Sequence, residues 1–371
     1  MLLDTDLHIH SCFSIASSRS MVPTSILAGC RRKGIDAVGS GDALHREWRQ
    51  MWMNAPGEAG VLVIPSAEVE DRDRVHHLIL AETFGIFKDL AHRFSPSAPS
   101  INTMGRPHLR LSGEEIAREV HEAGGLIGPA HAFTPWTSLY ASFDLARECY
   151  GGERPDLLEL GLSADSSYGA GISELRGIPF LTNSDAHSPS PAKIGREFNR
   201  MQVQDLSVKA VLEALQKGEI EMNAGFFPEE GKYNRTACTR CYRQFTLEEA
   251  RNLLWRCPDD GGLLKKGVSD RAKELSDGPL EPRPLYLHLI PLLEIIQRIL
   301  GTSSPNTKRC IALYTHLLEA FGDEIRILVD VPVTELGDLN EGVGDAVGKL
   351  RTGRVQLFPG GGGRYGRFSF G

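Results

Sequence analysis

The sequence lacks the features of a membrane or secreted protein. No apolar run is long enough to cross a bilayer, and the first residues carry neither the basic start nor the apolar core of a signal peptide. The seven cysteines are an odd number and mostly scattered, which does not favour a disulfide framework. With 41% hydrophobic and 24% charged residues over 371 positions, the composition is that of a globular protein, which we expect in the cytoplasm.

Motifs of several catalytic classes are also missing. The chain has no G-x-S-x-G nucleophile turn, no Cys–His nucleophile signature and no Walker loop. Covalent catalysis by serine or cysteine, and nucleotide-driven chemistry of the P-loop type, therefore find no support. Any hydrolytic activity must rest on other groups.

Charge is distributed unevenly along the chain. Residues 1–225 carry 21 Lys and Arg against 29 Asp and Glu, whereas residues 232–273 carry ten basic and five acidic side chains. An acidic first part is consistent with metal ligands or with ordinary surface. The basic stretch behind it either contacts a polyanion or is solvated surface, and composition alone does not decide between the two.

Residues 1–225 alternate short apolar strands with amphipathic helices. In one of these helices Ser112 and Glu115 form an S-x-x-E capping box, and Gly124 is placed to end the helix. About eight strands alternating with helices predict a barrel-like α/β domain.

After Gly225 the pattern changes. Residues 226–276 are predicted to form a small cysteine-containing domain, and residues 277–371 a helical C-terminal domain that begins with the linker DGPLEPRP. We expect two apolar helices in it, LYLHLIPLLEIIQRIL and TKRCIALYTHLLEAF. The Gly-rich end favours a hairpin between VQLF and RFSF, with a flexible loop as the alternative.

Histidines and carboxylates are concentrated at the ends of predicted strands. Because strand ends converge on one face of such a barrel, these side chains should meet there. Any one of them alone is more often structural, but together they predict a site for zinc, iron or manganese. Six strand ends contribute: His8 and His10; Asp42 and His45; Glu68; His76 and His77; His131; Asp185 and His187.

The motifs DLHIHS, HHLI, GPAH and NSDAH, with Glu68, resemble those of the polymerase and histidinol phosphatase (PHP) superfamily. This resemblance covers roughly residues 1–225 and implies a distorted (β/α)7 barrel with two or three divalent metals, Zn²⁺, Mn²⁺ or Mg²⁺. Further motifs, including GPAHAFTPW, GREFNR and PGGGGRYG, are similar to those of the endonuclease Q family over nearly the whole chain. That resemblance implies nicking of DNA on the 5′ side of uracil, hypoxanthine, xanthine and abasic sites. Damaged DNA is then the expected partner, with a replication or repair clamp protein as a further candidate and no membrane.

The resemblance to the superfamily also implies a ligand set. His8, His10, Glu68 and Asp185 would hold one metal, Glu68 would bridge to a second held by His77 and His131, and His187 would belong to a third position. His76 is expected to face the other side. The chain departs from the superfamily at Ala16 and at Gly41-Asp42-Ala43, so the third metal is absent or uses Asp42 or His45 in another geometry.

Two adjacent metals would supply an activated hydroxide for phosphodiester hydrolysis, with Asp185, His187 and Glu68 as the catalytic residues. Glu159 and Asp165 either orient ligands or are ordinary strand-end residues. A base that leaves the duplex needs a pocket. The candidate pocket residues, each of which is alternatively part of the core, are Phe133, Trp136, Ser166, Tyr168, Phe198 and Asn199, and Trp136 is the least core-like.

The cysteine cluster has the spacing C-x2-C-x15-C-x2-D, with Asp260 where the resemblance leads us to expect a fourth cysteine. Three thiolates and a carboxylate can bind zinc, so a structural Zn²⁺ is predicted at Cys238, Cys241, Cys257 and Asp260, with a metal-free knuckle as the alternative. Arg240, Arg243, Lys265 and Lys266 around it would contact the DNA backbone. Two other functions stay open: a small-molecule phosphatase of the histidinol-phosphatase type, and a non-catalytic adaptor with a residual metal barrel.

Overall fold

A computed structural model describes residues 1–55 and 60–371. It is a mixed α/β structure with fifteen strands among the described residues. The strands are β1 (Leu2–Asp6), β2 (Ala37–Gly39), β3 (Leu62–Ile64), β4 (Ser66–Glu70), β5 (His76–Leu80), β6 (Leu126–Pro129), β7 (Leu158–Glu159), β8 (Phe180–Leu181), β9 (Phe198–Gln202), β10 (Ile220–Gly225), β11 (Ala237–Cys238), β12 (Leu264–Lys265), β13 (Leu285–His288), β14 (Gln356–Phe358) and β15 (Arg367–Ser369).

The helices lie mainly between these strands and in the last eighty residues. They are α1 (Pro23–Lys33), α2 (Arg46–Asn54), α3 (Phe84–Phe94), α4 (Gly113–Glu122), α5 (Leu139–Ser142), α6 (Ala146–Tyr150), α7 (Ser166–Ala170), α8 (Val208–Lys217), α9 (Leu247–Asn252), α10 (Val268–Leu275), α11 (Leu292–Leu300), α12 (Lys308–Phe321), α13 (Val333–Leu339) and α14 (Glu341–Arg351). Within the described residues, none of them is long and apolar enough to span a bilayer.

The strands of the first part follow one another around the site. β1 pairs in parallel with β2 and β2 with β3, and β4, β5 and β6 form an antiparallel sheet. Backbone hydrogen bonds from Asp156 to Ile127 and from Ala132 to Glu159 join β6 to β7, which pairs in parallel with β8. A parallel bridge between Ile9 and Ala186 leads back to β1.

Local capping signals behave as the sequence indicates. Helix α4 begins with the full capping box of Ser112 and Glu115, and Gly124 follows it in the left-handed region at φ 77°. The segment SVKAVLEALQKG forms α8, which begins after the N-cap Ser207 and ends at a left-handed Gly218. The C-terminal hairpin is confirmed, because β14 and β15 pair antiparallel.

One helix prediction is wrong in its first half. In LYLHLIPLLEIIQRIL only Leu292–Leu300 is helical, whereas Leu285–His288 forms strand β13, which pairs in parallel with β10. Pro291 separates the two, since proline is tolerated at the start of a helix but not in its interior. The second predicted helix is α12, with Thr307 as its N-cap.

The largest group of buried apolar side chains crosses the predicted domain boundaries. It contains Ile26 and Trp48 from the first part of the chain and Leu293, Tyr314 and Val347 from the last. The C-terminal helices therefore pack directly on the elements that carry the strand-end histidines.

Candidate metal centre

The buried carboxylate of Glu68, near the middle of β4, lies at the centre of the strand-end cluster. Its Oε1 atom lies 2.7 Å from His76 Nδ1 and 3.0 Å from His131 Nε2. Its Oε2 atom lies 3.3 Å from His10 Nε2 and 3.8 Å from His8 Nε2. One carboxylate thus stands between two pairs of imidazoles, which is the arrangement of a bridging ligand.

Asp185 completes the group on the side of His8 and His10. Its Oδ1 atom lies 3.0 Å from His10 Nε2 and 4.0 Å from His8 Nε2. Asp185 has φ 46° and His131 has φ 32°, a left-handed conformation that costs energy for residues with a Cβ. Such strain persists where the surroundings enforce it, and here both strained residues present a side chain to the cluster.

Two of the imidazoles are oriented by carboxylates behind them. His8 Nδ1 lies 2.9 Å from Glu159 Oε2, and His10 Nδ1 lies 3.3 Å from Asp42 Oδ1. Glu159 also accepts a hydrogen bond from the backbone N–H of His131 at 2.8 Å. A partner on one ring nitrogen fixes the ring and leaves the other nitrogen for a ligand, as around protein-bound metals.

The other two imidazoles follow the same plan. His76 Nε2 lies 3.1 Å from Glu70 Oε2, which leaves Nδ1 directed at Glu68. His131 Nδ1 lies 3.2 Å from Thr134 Oγ1, which leaves Nε2 directed at Glu68. All four rings therefore turn one nitrogen toward the shared carboxylate and the other toward an orienting oxygen.

Whether metals fit this centre can be judged from its buried nitrogens that lack hydrogen bonds. His8 Nε2 and His10 Nε2 are buried, and neither makes a hydrogen bond of favourable angle with the described residues. Since a buried unpaired polar atom is costly, these atoms call for a further partner. His8, His10 and Asp185 form one group with ligand atoms in mutual reach, and Glu68, His76 and His131 form another. The donor set fits divalent cations.

The protonation tendencies agree with that fit. Burial opposes charging of His8, but the carboxylates of Glu159 and Glu68 outweigh it and raise its pKa well above the ordinary value. For His10 the same balance, with Asp185 and Asp42 as the anions, raises the pKa to about 9. Burial likewise opposes ionisation of Glu68, yet neighbouring His76 and His131 hold its pKa well below the usual range. The centre thus stabilises positive charge between its carboxylates.

Of the two adjacent histidines, the structure places His76 beside Glu68, where the resemblance led us to expect His77. His77 points away from this centre and lies 3.1 Å from Asp71 and 2.8 Å from the Tyr150 hydroxyl. The register explains the difference: Glu70 is paired with His76 across β4 and β5, so His76 shares a face with Glu70 and hence with Glu68. Glu70 itself, two residues after Glu68, was missed, although the period of two in a strand points to it.

The residues considered for a third metal take different places. Asp42 accepts hydrogen bonds from the Ser11 backbone N–H and the Ser14 hydroxyl, both at 2.8 Å, and so stands behind His10 rather than beside a metal position. His45 caps α2 by accepting from the Trp48 N–H. His187 lies beside His10, with ring centroids 4.3 Å apart. Of the three, His187 is the side chain placed next to the cluster.

A cavity of about 700 Å³ opens over the centre. His76, His131 and Asp185 line its floor, and Trp136, 52% exposed, stands at its rim. Basic side chains from the loop before β9, from the segment after β10, from α11 and from the C-terminal hairpin also line the cavity, beside the acidic Glu230 and Glu294. These side chains, called the basic wall below, are Lys193, Arg196, Lys232, Arg298 and Arg367.

Trp136 is the predicted lesion-pocket residue that the structure brings to this cavity. Phe133 and Phe198 are buried in the core, where hydrophobic burial holds them. Asn199 is also buried, and its side chain bonds to the backbone of Thr182. The remaining two, Ser166 and Tyr168, belong to α7 and do not line the cavity.

Of the two acidic residues considered as orienting groups, only Glu159 lies at the centre. Asp165 instead accepts from the Ser167 N–H as the N-cap of α7 and pairs with His288 at 3.1 Å. The two residues lie six positions apart in the chain, and only the fold separates their roles.

The cysteine cluster is brought together as the spacing predicts. Ligand atoms of Cys238, Cys241, Cys257 and Asp260 lie within 4.8 Å of one another. Cys241 Sγ lies 3.7 Å from Cys257 Sγ, and Asp260 Oδ1 lies 3.3 Å from Cys238 Sγ. Three sulfurs and a carboxylate oxygen fit a tetrahedral zinc ion.

The predicted basic contacts around this cluster are partly engaged within the protein. Arg243 forms an ion pair with Asp259 at 2.9 Å, and Lys266 with Glu274 at 2.5 Å. Lys265 lies with its Nζ 3.5 Å from the centre of the Trp136 ring, and Arg240 is exposed. Lys265 thus links the cysteine-containing region to the rim of the cavity.

Comparison with known proteins gives clear relatives. A family profile described as the MJ0043 C-terminal domain matches residues 291–354. Uncharacterized protein YqxK of Bacillus subtilis is 35% identical over 304 residues, which cover 79% of this chain and 73% of YqxK. Uncharacterized protein MJ0043 of Methanocaldococcus jannaschii is 42% identical over 248 residues, 65% of this chain, and the match spans only 31% of that longer protein.

Two solved structures superimpose along nearly the whole chain. The lesion-specific endonuclease PfuEndoQ from Pyrococcus furiosus has a TM-score of 0.95 at 43% identity, with 99% of this chain and 95% of that chain covered. An endonuclease Q in complex with a 27-mer duplex substrate, with an abasic lesion at its active site, has a TM-score of 0.95 at 42% identity. This superposition covers 100% of this chain and 97% of the endonuclease Q chain. Identity and coverage at this level leave one conclusion: the chain belongs to the endonuclease Q family.

Proposed function

We propose that this chain is a metal-dependent DNA endonuclease that cuts the backbone at damaged nucleotides. The observation that carries the proposal is the match to PfuEndoQ, a lesion-specific endonuclease, at 43% identity over 99% of the chain. The buried cluster around Glu68 supports it from the chemical side, since such a cluster suits phosphodiester hydrolysis.

Two metal positions are proposed in the centre. His8, His10 and Asp185 would hold one cation, His76 and His131 the other, and Glu68 would bridge them through its two oxygens. Zn²⁺, Mn²⁺ and Mg²⁺ are the candidate ions, and His187 is the candidate ligand of a third. When bound, such ions lower the pKa of a bound water toward 7 and stabilise the charge that develops on phosphate oxygens.

The protein's own groups prepare this site. Glu159 and Asp42 fix the rings of His8 and His10, so that the ligand nitrogens are held in place before any substrate arrives. His187 donates its Nδ1–H to the Asp185 carbonyl, 2.9 Å away, which leaves Nε2 for a proton or a ligand. Burial lowers the pKa of His187, which keeps the ring neutral near pH 7 and able to take up a proton.

The arrangement of strands supports a distorted seven-stranded barrel. If β3 and β4 are counted as one strand that is broken at Pro65, the strands follow the order β1, β2, β3/β4, β5, β6, β7, β8. The bridge at Ile9 then connects β8 back to β1. We further propose that residues 226–276 form a zinc-binding domain and residues 277–371 a helical domain. The proximity of the three cysteines and Asp260 supports the first of these.

DNA would lie between the centre and the basic wall. Lys193, Arg196 and Arg298 line the same cavity as His76, His131 and Asp185, as expected of a surface that neutralises backbone phosphates. The cavity has room for a nucleotide that has left the duplex, and Trp136 at the rim offers an aromatic face for stacking. Uracil, hypoxanthine, xanthine and abasic sites are the proposed lesions, with cleavage on the 5′ side. A clamp protein as partner stays a prediction.

The test is direct. The protein is loaded with Mn²⁺, Mg²⁺ or Zn²⁺ and incubated with labelled duplexes that carry one of the four lesions, beside an undamaged duplex and a phosphomonoester. We expect a single nick on the 5′ side of the lesion, at a rate at least tenfold above that on undamaged DNA. Turnover of the phosphomonoester alone would favour a small-molecule phosphatase, and binding of DNA without cleavage under all three metals would favour an adaptor.

A further inference from the structure

Arg106 contacts the central carboxylate from the cavity side. Its NH1 atom lies 3.0 Å from Glu68 Oε2, and its side chain is 30% exposed while that of Glu68 is 1% exposed. Among the residues that the structure describes, no other arginine or lysine forms an ion pair with Glu68. Arg106 also lines the cavity, together with Asp185 and His131.

The backbone on both sides of Arg106 is anchored to segments that carry the centre. The Gly105 N–H donates to the Phe13 carbonyl at 3.2 Å, and the Pro107 carbonyl accepts from the Glu70 N–H at 3.0 Å. Position 105 requires glycine, because a Cβ there would collide with the Ser14 hydroxyl and the Asp42 carboxylate behind His10. The backbone at Arg106 is therefore fixed before a substrate arrives, and the hydrogen bond to Glu68 directs the guanidinium.

A purely internal role for Arg106 would leave most of its hydrogen-bonding capacity unused. The guanidinium has five N–H donors, and the hydrogen bond it makes within the described chain is the one to Glu68. The remaining donors lie at a cavity whose floor is formed by Asp185, His76 and His131. An arginine fork matches two oxygens of a phosphate, which is the group that must reach this floor in the proposed reaction.

We propose that Arg106 binds a non-bridging oxygen of the scissile phosphate and stabilises the charge that accumulates there during hydrolysis. The inference rests on the proposed function. In the reaction the oxygen of water bonds to phosphorus, one P–O ester bond breaks, and the leaving oxygen takes up the proton that water gives up. Arg106 forms no covalent bond and is unchanged at the end.

The experiment compares R106A and R106K with R110A in the full-length protein. Arg110 lies on the same loop, carries the same charge and is exposed, but it does not line the cavity. Three quantities are measured for each variant: metal bound per chain, affinity for inorganic phosphate by calorimetry, and turnover of lesion DNA at saturation. R106K guards against a folding defect in R106A, because it keeps the charge and most of the volume.

For R106A we expect unchanged bound metal, at least a tenfold loss of phosphate affinity, and a turnover reduced roughly 100- to 1000-fold, as for removal of one oxyanion donor. R106K should fall between R106A and the wild type, and R110A should equal the wild type. Loss of metal in step with turnover would overturn the proposal, since Arg106 would then only stabilise Glu68. Wild-type phosphate affinity in R106A and R106K would overturn it as well. If the wild type nicks no lesion DNA, the proposed function fails, while the phosphate measurement still decides the role of Arg106.

Discussion

The buried ion pair between Lys33 and Glu324 joins the end of α1 to the C-terminal helices. Lys33 Nζ lies 2.7 Å from Glu324 Oε1, with the two side chains 3% and 0% exposed. Glu324 also accepts from the Leu292 N–H and the Tyr314 hydroxyl, each at 2.9 Å. Three polar groups from distant parts of the chain thus depend on one carboxylate.

Replacement of Glu324 by alanine should lower the free energy of unfolding by about 3–5 kcal/mol, because it leaves the ammonium of Lys33 buried without a counter-charge. The matched control is Glu213→Ala, since Glu213 on α8 is 41% exposed and pairs with Lys209 and Lys217, each at 3.8 Å. Each of these exposed pairs should contribute less than about 0.5 kcal/mol.

Urea unfolding followed by circular dichroism measures both variants. The double variant K33M/E324L removes both charges and should recover part of the stability, because the uncompensated ammonium is gone while the Leu292 N–H and the Tyr314 hydroxyl still lack their acceptor. The reasoning fails if E324A unfolds within about 1 kcal/mol of the wild type, or if the double variant is as unstable as the single one.

Three further predictions concern the metal centre, the cysteine cluster and a buried acid. His76→Ala should lose about one bound metal and the nicking activity, whereas His77→Ala should keep its metal and lose stability. Elemental analysis and thermal unfolding distinguish the two variants, and equal metal loss in both would contradict the assignment. Cys241→Ser should lower the zinc content of the full-length protein by about one ion, and unchanged zinc would show that the cluster is metal-free. Burial raises the pKa of Glu197 from 4.5 to about 8, so between these values the folded state holds a proton that the unfolded state has lost, and stability falls as pH rises. Glu197→Gln should therefore flatten the stability profile between pH 5 and 8 by up to ~1.4 kcal/mol per pH unit, and an unchanged profile in urea melts would refute it.

Local signals predict much of the fold, because capping boxes and terminal glycines act within a few residues. The helices that begin at Ser112 and Ser207 need no tertiary information. Strand β13 could not be predicted in the same way, since Leu285–His288 is only four residues long and becomes a strand because the edge of β10 is there to pair with it.

The candidate site, like the fold, could be predicted from the sequence only in part. Residue types at strand ends predict which histidines and carboxylates meet, but not which side of a strand faces the centre. The choice between His76 and His77 depends on the register of β4 against β5, and the place of Asp42 depends on hydrogen bonds from Ser11 and Ser14. No sequence motif marks Arg106, because its place beside Glu68 results from the path of the loop around it.

The pairing of β13 with β10 also orders events during synthesis. When residue 225 leaves the ribosome, β10 has its partner β9 on one side and an open edge on the other, and about sixty more residues, including the whole cysteine cluster, must follow before β13 is made. An unpaired strand edge invites pairing with other chains. The nascent chain therefore passes through a stage in which the part that carries the candidate metal centre is nearly complete and still has an open strand edge. If the intervening segment binds zinc at that stage, β13 has a shorter distance to cover before it pairs with β10.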